Sequence, residues 1–237
     1  AYSRNDIEIM SRVLKAGDIY IDAGANIGWH TVIAAKMVGS SGKVIAFEPE
    51  PKNLELLRRN IELNALTNVE VIPKAVMDEA GPRELHVSNF NSGDHIVGLS
   101  VATSAHVTKV SIEATTLDET IARLALDPAK IAMIKADIQG SEVDMLEGGR
   151  AFFRKRRPPL ILEYSPRHMR WVGRSFFDLL SFIERNGYTP SHLDGEKHKP
   201  VPQILRPLSI QDFLRETHRL MSSPYDEAID LYLTQQA

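Results

Sequence analysis

Four carboxylates in this chain close short apolar runs. Asp22 follows Ile19-Tyr20-Ile21, and Glu48 follows Val44-Ile45-Ala46-Phe47. Asp137 ends Ile131 to Ala136, and Glu163 follows Leu160-Ile161-Leu162. Runs of this length read as buried strands of a parallel sheet. Ligands of open α/β sheets lie outside the carboxyl ends of such strands. A carboxylate placed there can accept hydrogen bonds from hydroxyls, balance a cation or take up a proton.

Asp22 opens the stretch Asp22-Ala23-Gly24-Ala25-Asn26-Ile27-Gly28, which runs from a strand into a helix. Gly24 lets the backbone approach a ligand, and Gly28 permits close helix packing. The Gly-x-x-x-Gly spacing is not the Gly-x-Gly-x-x-Gly of dinucleotide binders, which seat a pyrophosphate on a helix N-terminus. S-adenosylmethionine has no phosphate. It carries an ammonium and a sulfonium, and Asp22 supplies a carboxylate for them. Glu48 stands 24 residues after Gly24, where an acidic side chain can accept both ribose hydroxyls. The expected cofactor set is therefore Asp22, Gly24, Asn26, Gly28, Glu48 and Asp137, with S-adenosylmethionine as the cofactor.

The candidates for the chemistry itself are Asp137 and His95. Asp137 closes the fourth core strand, where it could accept a proton, orient an acceptor or bind a metal. Histidine suits proton transfer because its unperturbed pKa is about 6.5. His95 lies in the polar loop Asn89-Phe90-Asn91-Ser92-Gly93-Asp94-His95. His168 sits among Arg167, Arg170 and Trp171, and His106 has only the polar loop as context. Asp137 and Glu163 end adjacent strands and could hold a hard divalent cation. Two carboxylates alone are a thin ligand set, and the expectation is that no metal takes part.

Strand-like and helix-like stretches alternate through most of the chain, the pattern of a parallel α/β sheet. A first helix is expected over Asp6 to Lys15. Others follow from about Trp29 to Met37, around Leu54, Leu57 and Ile61, and from Ser175 to Asn186. Val69 to Ile72 reads as the third strand. Glu84 to Ser88 and Thr108 to Ile112 break the alternation and read as a hairpin around the polar loop. Thr116 with Glu119 forms an expected capping box, and Ser141 is expected to cap the helix after Asp137. Tyr188 to Leu193 and Ile229 to Leu233 are the last strands. Residues 195–227 read as an insertion before the last strand, with one short helix after Ser209.

The chain has 237 residues, a net charge of −3 and no cysteine. One domain, 1–237, accommodates it, with residues 1–16 as an N-terminal helix. The charge gives no support to general nucleic-acid binding. The run Arg154-Lys155-Arg156-Arg157 reads as a solvated loop. Without cysteine, disulfide frameworks and thiol catalysis are excluded. No apolar run reaches the roughly 18 residues of a membrane span, and the expected compartment is the cytoplasm. The chain opens on Ala1, which reads as a trimmed or excised sequence.

Ile134-Lys135-Ala136-Asp137-Ile138-Gln139-Gly140-Ser141-Glu142 resembles the Lys-x-Asp-x-Glu-Gly-x-Glu signature of FkbM-type methyltransferases. Ala114 to Glu119 and Leu162-Glu163 are also similar to that family, and the resemblance runs from about Gly17 to Tyr164. Gln139 stands where the family usually has Glu, so a role requiring negative charge there does not carry over. The resemblance implies a Rossmann-like class I methyltransferase fold with a mostly parallel seven-stranded sheet and an added β-hairpin. It implies S-adenosylmethionine-dependent O-methylation of a sugar, glycan or natural-product hydroxyl. Two rivals stand beside this reading: a non-catalytic S-adenosylmethionine-binding domain, and an NAD-dependent oxidoreductase.

Overall fold

The computed structural model describes residues 4–88, 95–98, 107–193, 205–225 and 227–235. Its main sheet begins with β1 (Ile19–Ala23), β2 (Lys43–Phe47) and β3 (Val69–Ile72). These alternate with α1 (Arg4–Val13), α2 (Trp29–Val38) and α3 (Pro51–Leu63). β1 pairs in parallel with β2, and β2 with β3. The chain then leaves this sheet for β4 (Ala75–Val76), β5 (Gly81–Ser88), β6 (His95–Val97) and β7 (Val107–Thr115). After α4 (Leu117–Arg123) it returns as β8 (Ile131–Ala136) on the other side of β1. The helices α5 (Glu142–Gly148) and α6 (Arg150–Lys155) lead to β9 (Leu160–Tyr164), parallel to β8.

Next come α7 (Pro166–Trp171), α8 (Phe176–Asn186), β10 (Tyr188–Leu193), β11 (Leu205–Pro207), α9 (Ile210–Ser222) and β12 (Ile229–Gln235). The strand order is β11-β10-β12-β9-β8-β1-β2-β3. β12 is antiparallel to both β9 and β10. The order reverses between β1 and β8, which opens a crevice above their carboxyl ends.

The expected seven strands are present, and an eighth, β11, extends the edge. Its three residues include Pro207 and pair antiparallel with β10. Proline is tolerated there because an edge strand need not donate on its outer side. The expected hairpin is a four-stranded sheet of order β4-β7-β5-β6. Leu85, Val97, Ile112 and Ala114 give it a small core. His95 opens β6, with Val87 opposite it. His106 and Asn89 to Asp94 fall outside the described residues.

The inserted segment contributes to the core. Phe213 of α9 is fully buried, with ring centroids 4.9 Å from Tyr164 and 4.8 Å from Phe176. The helix it belongs to runs thirteen residues, longer than the short helix expected.

Two local expectations take a different form. Thr116 Oγ1 accepts from Glu119 N at 3.0 Å, but Glu119 Oε2 accepts from the Thr115 hydroxyl instead of closing the box. Ser141 precedes α5 without a side-chain cap. Glu142 instead closes the turn ahead of the helix, its Oε1 accepting from Ile138 N at 2.9 Å. No helix of the described residues is long and apolar enough to cross a membrane.

Candidate active site

A cavity of about 540 Å³ lies over the carboxyl ends of β1, β2, β8 and β9, with the small sheet as its far wall. That size falls in the range of small-molecule sites. Its wall includes Gly24, Asn26, Glu48, Asp137, Glu163, His95 and His168.

One end of the cavity is built around Glu48. As β2 ends, the Phe47 carbonyl accepts from Gly24 N at 3.1 Å and Ala25 N at 2.9 Å. This locks the β1 turn against β2. Asn26 adopts φ 51° and its N–H donates to Glu48 Oε2 at 2.8 Å, while Glu50 N donates to Oε1 at 2.9 Å. Each carboxylate oxygen is thus held by one backbone N–H and keeps acceptor capacity toward the cavity. Burial pushes the Glu48 carboxyl up to about 7 despite those two donors. Phe47, Pro49, Val76 and Met77 supply an apolar flank beside it. Paired acceptors beside an apolar slot fit a ribose and its base.

Asp22 does not reach the cavity wall. It is 1% exposed, and its Oδ2 accepts from Thr31 Oγ1 at 2.6 Å, tying β1 to α2. The reason is strand alternation. Tyr20 packs into the cluster shared with α1 and α2, and Asp22 points to that same face. The Gly24 requirement also differs from the one expected. At φ 80° a Cβ there would overlap the carbonyl oxygen of Asp137, so the space is taken by β8 backbone. Asp137 N donates to Ala23 O at 3.1 Å across this closure. Gly28, at φ 92°, sits under α3, where a Cβ would lie 2.6 Å from Leu57 Cδ1.

Asp137 lines the cavity with a 40% exposed side chain. Its Oδ2 is 3.2 Å from the Nζ of buried Lys135, and its Oδ1 is 3.2 Å from Gln139 Nε2. Burial pushes its pKa up, but the Lys135 ammonium outweighs that and holds it below the usual carboxylate value. The same Gln139 Nε2 donates to Glu163 Oε2 at 2.8 Å. Glu163 is pushed well above its ordinary value by burial and then by the charge of Asp137. The Gln139 amide therefore bridges two carboxyl groups where a glutamate would add a third. Among the described residues, no group of three or more His, Cys, Asp or Glu is arranged to hold a metal ion.

His95 lines the cavity from β6. His168 lines it from α7, buried, with its ring 5.0 Å from that of Trp171. Sequence reasoning missed four titratable wall residues: Asp6 on α1, His30 on α2, Lys74 between β3 and β4, and Asp230 on β12. Asp6 read only as the start of the first helix. Asp230 carried a clearer signal, a charge inside the apolar strand Ile229 to Leu233.

Residues 22–190 match the model of the methyltransferase FkbM domain. The 2-O-methyltransferase NoeI of Sinorhizobium fredii is 25% identical over 80% of this chain and 82% of its own length. A probable cobalt-precorrin-6B C(15)-methyltransferase from Sulfolobus acidocaldarius is 43% identical over 24% of this chain, a segment spanning 29% of that relative. Among solved structures, a methyltransferase FkbM from Methylobacillus flagellatus superposes with a TM-score of 0.51 at 18% identity. That match covers 96% of this chain and half of the other.

Proposed function

The chain belongs to the FkbM methyltransferase family, and from that premise we propose that it transfers the methyl group of S-adenosylmethionine to a hydroxyl oxygen of a small-molecule or glycan acceptor. One observation carries the reading. Glu48 and Asp137 open into the same cavity from strands two spacings apart, roughly 10 Å. One holds paired acceptors for a ribose, and the other stands as an ionised carboxylate over the middle of the sheet.

The bound cofactor supplies an activated methyl on a sulfonium sulfur, which keeps the C–S electron pair as the C–O bond forms. The protein's task is alignment and proton handling. Asp137 accepts a hydrogen bond from the acceptor hydroxyl, orienting its lone pair, and receives the proton as the oxygen becomes an ether. Lys135 keeps Asp137 ionised for that role, and the Gln139 bridge fixes its orientation. His95, on the small-sheet wall, is the second candidate for the proton. The resemblance to NoeI supports oxygen as the acceptor atom.

The test is ligand-dependent melting, followed by transfer of labelled methyl to a library of hydroxyl compounds. S-adenosylmethionine and S-adenosylhomocysteine should raise the Tm by mass action, and NAD should not. A shift with NAD alone would overturn the reading. Cofactor binding with no transfer to any oxygen acceptor would reduce the chain to a binding domain.

A further inference from the structure

Beyond Asp137 the cavity is acidic in a way the cofactor does not explain. The described wall carries five carboxyl groups, Asp6, Glu48, Asp137, Glu163 and Asp230 among them, against the ammonium groups of Lys74 and Lys135. Lys135 is already committed. It contacts Asp137 at 3.2 Å and also feels Asp22 and Asp6. Asp230 on β12 stands directly opposite Glu163 on β9 in the antiparallel register. Burial and the neighbouring carboxylates push Glu163 well above its ordinary value and Asp230 up to about 7, so the pair sheds charge unless a cation is brought beside it.

Asp6 hangs over the same end from α1, 3% exposed. Its Oδ2 lies 3.3 Å from His30 Nε2, but its Oδ1 is buried with no hydrogen-bond partner. The hydroxyl of Ser141, also on this wall and 1% exposed, has none either. Unmet buried acceptors are costly unless a ligand meets them.

The cofactor's own cations do not reach Asp230. Glu48 ends β2 and Asp230 opens β12, four strand spacings away, roughly 19 Å. An amino-acid chain anchored at the ribose extends only a few bonds from the sugar. A neutral polyol could donate to these carboxyl groups but would bring no charge to set against them.

We propose that the acceptor carries a protonated amine beside the hydroxyl that is methylated, and that Asp6 and Asp230 seat this ammonium at the end of the cavity beyond Asp137. The inference rests on the methyltransferase reading above and specifies its acceptor class as an amino alcohol or amino sugar. Protonation matters twice. The ammonium balances the opposed carboxyl groups, and it has no lone pair, so the methyl goes to oxygen and not to nitrogen.

The test is calorimetric binding to protein saturated with S-adenosylhomocysteine. The probes are two matched pairs: glucosamine with N-acetylglucosamine, and 2-aminocyclohexanol with cyclohexane-1,2-diol. The amine of each pair should bind at least roughly tenfold more tightly than its neutral partner, the scale of a hydrogen bond to a charged group. Asp230→Asn should abolish that preference while S-adenosylhomocysteine binds as before. Equal or weaker binding of the amines, including no detectable binding, would overturn the proposal. So would a preference that survives in Asp230→Asn, or a product methylated on nitrogen. Failure of S-adenosylhomocysteine itself to bind would count against the methyltransferase reading instead.

Discussion

Removing the Glu48 carboxylate should damage the fold and the cofactor site together, by separable amounts. Glu48→Ala deletes the acceptor for Asn26 N and Glu50 N. Each buried donor left unsatisfied costs about 1–3 kcal/mol. Water entering from the cavity can reach the Asn26 end, so a combined loss of about 2–4 kcal/mol is expected. In a chain of 237 residues, 1 kcal/mol moves the Tm by about 2–4 °C. The variant should therefore melt about 4–16 °C lower. Glu48→Gln keeps an acceptor for one N–H and turns a donor toward the other, so it should lie between the variant and the wild type. Ribose hydrogen bonds add a second loss, about 1.5–3 kcal/mol in cofactor affinity, roughly 10- to 150-fold in Kd. Differential scanning calorimetry with and without S-adenosylhomocysteine measures both. A variant that melts with the wild type would show that the two donors find other partners. An unchanged cofactor shift would show that Glu48 does not touch the ribose.

The same residue predicts a pH dependence. With its carboxyl near 7 in the free protein, donation from ribose hydroxyls favours the ionised form, so cofactor binding should tighten from pH 6 to 8 and release a proton. Calorimetry in buffers of different ionisation heat reads that proton, and a flat profile refutes it. Because the folded pKa lies above the ordinary 4.5, the free protein's stability should fall as pH rises from about 4.5 to about 7 and level off above that. Gly24→Val, with a Cβ driven into the Asp137 carbonyl at positive φ, should abolish cofactor binding and lower the Tm; normal binding would show that the turn moves freely. Asp137→Asn should cut turnover by about 10²–10⁴-fold with little change in cofactor affinity, and more than His95→Ala does. The reverse ranking would make His95 the proton acceptor. EDTA should leave the wild-type rate unchanged, and inhibition reversed by magnesium would place a cation between Asp137 and Glu163.

The strands that carry the site were legible because each is an apolar run ending at a charge. Parallel strands buried on both faces must read that way. The same property hid the aim of Asp22. When both faces are apolar, alternation does not announce which one holds the cavity, and the side chain points to the α1–α2 layer. The role of Gly24 was illegible for a different reason. The group it avoids belongs to β8, more than a hundred residues on, and a local turn motif says nothing about a distant carbonyl. β6 and β11 have three residues each, too short for periodicity to register. Gln139 was noticed as a departure from the signature, but its bridging amide emerged only once β9 brought Glu163 within reach.

Asp6 and Asp230 come from the first helix and the last strand described, and they meet across one cavity. The Glu48 turn, by contrast, is complete within the first third of the chain. The two ends of the cavity thus draw their parts from very different stretches of chain. The acidic corner closes only when β12 threads between β9 and β10. A cut that released β12 would take Ile229, Leu231 and Leu233 out of the main core together with Asp230, so the acidic corner and the fold would be lost as one.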